Sequence, residues 1–113
     1  MKIGSWSLRR DPRVYLFDVL EAANNIVGFT SGMDGQAYEA NRLVAFAVER
    51  NFEIIGEALN QLSRVDPVLA NQIPQLAKIV GFRNILIHGY AMVDQQRVWA
   101  LTRTDLLGLR SII

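Results

Sequence analysis

LVAFAVERNFEIIGEALNQLS, residues 43–63, is the stretch whose reading decides the fold. Val44, Val48, Ile55, Leu59 and Leu62 return at three-, four- and seven-residue intervals, which draws one apolar stripe along a helix. Glu49, Arg50, Glu53, Glu57, Asn60 and Gln61 gather on the opposite side. The pattern predicts a long helix from about Tyr38 or Asn41 to Ser63. From Leu43 to Val48 it is apolar almost all round, which suggests burial on two sides, either by its own domain and a second subunit or as the enclosed central helix of a bundle. Gly56 lies inside this helix, where it costs about 1 kcal/mol relative to alanine. A neutral surface glycine is one explanation; the one preferred is a helix contact too close to admit a Cβ. Glu49, Glu53 and Glu57 stand four apart as a like-charge ladder, suited to a solvated face or to meeting arginines of a partner.

Upstream, Asp11 and Pro12 fit an N-cap and first helical position, because the carboxylate accepts from free amides and proline wastes no donor there. The helix they open is expected to reach about Val27, with Leu16, Val19, Leu20, Ala23, Ile26 and Val27 on one face. Gly28, Ser31, Gly32, Asp34 and Gly35 then mark a turn region. Downstream, a short helix is expected over Pro67 to Asn71. A second starts near Pro74 and carries Leu76, Ile79 and Val80 to Gly81, and residues 82–88 are again helical in character. Asp94 caps a last helix with Val98, Trp99, Thr102, Leu106, Leu109 and Ile113 near one side. No run alternates as a strand does. The expected fold is all-α, a single domain over residues 1–113 built as an up-and-down bundle of four to five helices.

Composition narrows the chemistry. The 113 residues are 50% hydrophobic and 20% charged, which suits an ordered globule with a surface left for a partner. Ten arginines and two lysines against eleven acidic residues give a net charge of +1, too little for a protein that coats nucleic acid, so any phosphate contact must be local. Cysteine is absent and histidine occurs once, which removes thiolate chemistry and makes a zinc site within one chain improbable; no metal and no cofactor are expected. Glycine-rich phosphate loops are missing. The segment MKIGSWSLRRDPR lacks the apolar stretch of a signal peptide, and no apolar run approaches the ~18 residues of a membrane span. A soluble, cytoplasmic protein without membrane contact is expected.

The single histidine falls in GFRNILIHGY, residues 81–90. Arg83 and His88 are five apart, so on an unbroken helix they diverge by roughly 140°. Their side chains could still converge at a helix edge, or one from each of two subunits could complete a site. Gly89 suggests a helix end in left-handed geometry, with Tyr90 on the exit loop. Two readings stand side by side. In one, His88 favours the negative end of the helix dipole and Arg83 reaches a surface carboxylate. In the other, the residue types suit RNA cleavage: an imidazole can move a proton on or off a ribose oxygen, and an arginine can hold phosphate oxygens as charge develops. Asn84 could orient a side chain or bond to the nucleotide, and Tyr90 could stack on a base or touch phosphate.

FEIIGEALNQLS at residues 52–63, the IP at 73–74 and GFRNILIHGY together resemble the HepT-like branch of the HEPN superfamily. The similarity extends from DPRVYLFDVLEAANNI at residue 11 through VDQQRVWALTRTDL at 93–106. It implies an all-helical, homodimeric ribonuclease toxin whose antitoxin is a small MNT-type nucleotidyltransferase. It further implies that Arg83 and His88 are the catalytic pair, that Asn84 and Tyr90 support substrate binding, and that Tyr90 can receive AMP from the partner. Negative charge and bulk added there would repel RNA. Two positions depart from many relatives: Gln75 stands where they carry tryptophan and Phe82 where they carry methionine. Both are expected to be packing changes. A different class of function, a non-catalytic dimeric subunit of a nucleotidyltransferase, would need only the apolar Leu43–Val48 segment and the glutamate ladder as interfaces.

Overall fold

The computed structural model describes residues 11–89 and 93–113. Helices α1 (Pro12–Phe29), α2 (Gly35–Ala40), α3 (Arg42–Val65), α4 (Pro67–Ala70), α5 (Leu76–His88), α6 (Gln95–Arg103) and α7 (Asp105–Ile112) make an all-α, up-and-down bundle. Side-chain caps set most of the starts. Asp11, Asp34, Asn41, Asp66 and Asp94 each accept from a backbone N–H in the first turn of the helix that follows, and Pro12 and Pro67 stand where no donor is needed.

The long central helix is α3, capped by Asn41 rather than starting at Tyr38. Its stripe packs chiefly on α1 and α5, with Val48, Phe52, Ile55, Leu59 and Leu62 fully buried. From α1 come Tyr15, Val19, Ala22, Ala23 and Ile26, and from α5 Ile79 and Phe82. The buried face of α1 therefore includes Tyr15 and Ala22, while Leu16, Leu20 and Val27 sit at its margin. Asn25 donates to Asn51 Oδ1 at 3.2 Å, a polar tie across the α1–α3 seam.

Seven helical segments occur among the described residues, against the four or five expected. One surplus helix, α2, opens within the stretch read as a turn, because the Asp34 carboxylate accepts from Ala37 N at 2.8 Å and nucleates it. The other arises because the last helix divides at Thr104, whose hydroxyl bonds to the Ala100 carbonyl and to Asp105 Oδ1 and competes with the helical ladder. Conversely, Gly81 interrupts nothing and α5 runs unbroken to His88. The helix does stop at Gly89, but in extended geometry, φ −83° and ψ 100°, so the expected left-handed cap is corrected. Among the described residues only Gly32, in the turn after α1, has positive φ, 77°.

The apolar segment at the start of α3 is buried on one side only. Ala45 and Val48 face the core, whereas Leu43 is 81% and Phe46 56% exposed. Among the described residues no helix is long and apolar enough to cross a membrane.

Candidate active site

The site grows out of the crossing of α3 and α5. Phe82 meets Phe52 edge-on, ring centroids 5.5 Å apart, while the Ile79 carbonyl lies 3.4 Å from where a Cβ on Gly56 would sit. Higher numbers on α5 thus oppose lower numbers on α3, and the helices are antiparallel. A Cβ on Gly56 would overlap both Cβ and Cγ of Arg83. The glycine is there because the arginine stem crosses the helix at that point, as the close-contact reading requires.

Arg83 is held from two sides. Its Nη2 donates to and pairs with Glu57 Oε2, and its Nη1 donates to Asn84 Oδ1 at 2.9 Å. Gln61, one turn along α3, donates from Nε2 to Glu57 Oε1 at 3.0 Å. The Arg83 side chain is 22% exposed and that of Glu57 46%. Pairing at this exposure is worth at most about 1 kcal/mol in stability, so its value lies in orientation. Behind Arg83, the guanidinium of Arg97 from α6 lies over the Phe82 ring, 5.6 Å from its centroid.

His88 is the last residue of α5 and is exposed. On the unbroken helix it lies roughly 140° around and ~7.5 Å along from Arg83. The structure joins Arg83 to Asn84 and Glu57, and His88 stands one turn beyond Asn84 on the same side of α5 while diverging from Arg83 itself. Tyr90 lies outside the described residues. Glu57 was read only as part of a ladder; nothing in the spacing of the three glutamates singles it out as the partner of Arg83. Glu49, at the other end of that ladder, accepts from Gln95 Nε2 at 2.8 Å, and Glu53 lines a groove with Tyr15, Arg50 and Gln61. The ladder is thus partly used inside the chain.

Gln75 and Phe82 are packing positions in the structure. Phe82 is buried, and a Cβ on Gly108 would come within 2.8 Å of the Gln75 amide nitrogen, so α7 leaves space for that side chain. Among the described residues no group of three or more histidines or carboxylates is placed to hold a metal ion.

Residues 19–113, which include the whole α3–α5 crossing, match the family described as Ribonuclease HepT-like. The chain belongs to the HepT-like family. "Putative RNase MJ1380" of Methanocaldococcus jannaschii is 35% identical over 97 residues, covering 86% of this chain and 88% of that protein. "Putative RNase MJ1216" of the same organism is 32% identical over 98 residues, covering 87% and 80% respectively. "Probable ribonuclease HepT" of Thermococcus cleftensis is 31% identical over 103 residues, with 91% of this chain and 93% of the relative aligned. No solved structure gives a significant match. In this HepT-like chain the two readings of residues 81–90 do not exclude one another. The carboxylate contact of Arg83 and the helix-end position of His88 are both real, and both are compatible with a site for phosphate.

Proposed function

We propose that this chain is a metal-independent endoribonuclease toxin of a toxin–antitoxin pair, acting on single-stranded or loop RNA in the cytoplasm. The observation that carries the proposal is an arginine clamped at the α3–α5 crossing with an exposed histidine at the end of the same helix, in a HepT-like chain. The substrate's own 2′-oxygen attacks phosphorus while the bond from phosphorus to the 5′-oxygen breaks. His88 takes the proton from the 2′-hydroxyl or gives one to the departing 5′-oxygen, solvent exchanging the other proton, and Arg83 bears the charge that builds on the non-bridging oxygens. The products are a 2′,3′-cyclic phosphate and a 5′-hydroxyl, and no positioned water is needed.

The helical separation of Arg83 and His88 favours a homodimer in which the two 81–90 segments share one cleft. Leu43 and Phe46, exposed and apolar, lie in the half of α3 toward which antiparallel α5 carries His88, and Ile85 and Ile87 of α5 are also exposed. Burying these residues against a second copy would bring a second His88 and Arg83 to the same place. An MNT-type nucleotidyltransferase is the proposed antitoxin, with Tyr90 as the acceptor of AMP. RNA cleavage by the purified protein, with cyclic-phosphate ends found by mass spectrometry and lost in His88→Ala, tests the chemistry. Equal cleavage by His88→Ala would end the proposal. Intact mass after co-expression with the nucleotidyltransferase, compared between the unaltered chain and Tyr90→Phe, tests the modification.

The bare apolar face of Leu43 and Phe46 also suits a second reading, a non-catalytic dimeric subunit that presents substrate to a nucleotidyltransferase. Co-purification with that enzyme, an unmodified Tyr90 and no cleavage after dissociation would favour it.

A further inference from the structure

Arg83 belongs to a chain of polar contacts that runs from α5 onto α3. Gln61 Nε2 donates to Glu57 Oε1, Glu57 Oε2 pairs with Arg83 Nη2, and Arg83 Nη1 donates to Asn84 Oδ1. We infer that Glu57 and Gln61 are positioning residues of the ribonuclease site, fixing the plane of the Arg83 guanidinium before RNA arrives; this rests on the ribonuclease reading above.

A carboxylate held by one oxygen can turn about its terminal bond, and an arginine held by one nitrogen can swing. Here each end is held twice. Gln61 takes one oxygen of Glu57 and leaves the other for Arg83, while Asn84 takes the second terminal nitrogen of the guanidinium. Gly56 fixes the stem, since the Arg83 Cβ and Cγ occupy the space its own Cβ would need. The remaining N–H donors of the guanidinium stay available for phosphate oxygens. Donors fixed in advance stabilise charge that develops in the transition state without reorganising when it appears. Glu57 contributes a second effect. Its negative charge moderates the pull of Arg83 on ground-state RNA, so its loss should not weaken substrate binding. Orientation would be lost and attraction kept, which predicts a change in kcat without a rise in KM.

The test uses full-length protein and an RNA that the unaltered chain cleaves. Glu57→Gln, which keeps the shape and removes the charge, should lower kcat about tenfold with KM unchanged or smaller, and Gln61→Leu should lower kcat about threefold in the same manner. Both variants should melt close to the unaltered protein. Unchanged kcat in both, or raised KM at constant kcat, would overturn the inference.

A second measurement does not depend on activity. Side-chain nitrogen NMR of Arg83, assigned by its loss in Arg83→Lys, should show hindered rotation in the unaltered protein and averaged signals in Glu57→Gln and Gln61→Leu. If the unaltered protein cleaves nothing but its hindered guanidinium is freed in the two variants, positioning stands and the ribonuclease reading falls. If the Arg83 signals are alike in all three proteins, the positioning role falls whatever the activity.

Discussion

At the Gly56 crossing α5 is pressed against α3 so closely that no Cβ fits, and the terminal nitrogens of Arg83 are engaged by Glu57 and Asn84. Five residues later the same helix ends in solvent with His88 exposed and followed by extended Gly89. The middle of α5 fixes a permanent charge; its last residue presents an imidazole to solvent. The difference fits the demands of the proposed chemistry. A charge that must meet developing negative charge benefits from being held, and holding it requires a packed helix beneath it. A proton carrier must reach substrate oxygens, and exposure at a helix end allows that.

The sharpest break of the comparison is His88→Ala. Removing the proton carrier should cut RNA cleavage by about 10²–10⁴-fold, while an exposed substitution changes folding stability by no more than about 0.5 kcal/mol. Cleavage assays beside thermal melts of the same preparation read both.

Arg83→Ala should come next, with cleavage lower by about 10²–10³-fold and only a modest drop in melting temperature, because the pair it removes is partly exposed. Arg83→Lys should not restore the rate, since an ammonium cannot bridge Glu57, Asn84 and phosphate as a guanidinium does.

Two glycines separate packing from propensity. Gly56→Ala would force the Arg83 stem, and with it the α5 backbone, to move; overpacking of this kind costs about 1–3 kcal/mol, enough to outweigh the ~1 kcal/mol gained in helix propensity. Gly81→Ala lies in the same helix as Arg83, where an added Cβ meets nothing within 4 Å, and should stabilise by about 0.5–1 kcal/mol. Chemical denaturation of the two variants should therefore move in opposite directions, and cleavage should fall only in the first.

The smallest effect lies at the start of α1. The Asp11 carboxyl, hydrogen-bonded by the Arg13 side chain and backbone, is lowered from 3.8 to about 2. A carboxyl whose folded value is depressed contributes stability that is full above its unfolded value and is lost as pH falls from about 3.8 toward about 2. An NMR titration of Asp11 should find its midpoint there. The group is exposed, so added salt should move the midpoint back toward the ordinary value.

Much of this architecture was legible in residue order. Asp11–Pro12 and Asp94 marked helix starts because capping is a local interaction between neighbours in sequence. The stripe of α3 was legible because burial recurs with the helical period. Less legible were α2 and the division at Thr104, where a few local side-chain bonds decide between turn and helix. At the site, Arg83, Asn84 and His88 could be named from their types and from the family likeness. Glu57 could not be separated from Glu49 and Glu53, because each has the same chemistry and the same four-residue spacing.

The sequence by itself determined an all-helical chain, the long helix at its centre, a glycine where two helices needed room, and the segment proposed to carry the chemistry. These follow from periodicity, capping and residue type, all readable within a few turns of one helix. Only the tertiary structure decided that the glycine serves Arg83, that Glu57 and Gln61 stand behind that arginine, and that Leu43 and Phe46 remain uncovered. Those outcomes depend on how antiparallel α3 and α5 slide past one another, and that register is set by the packing of Phe52, Ile79 and Phe82 across residues some thirty positions apart in the chain.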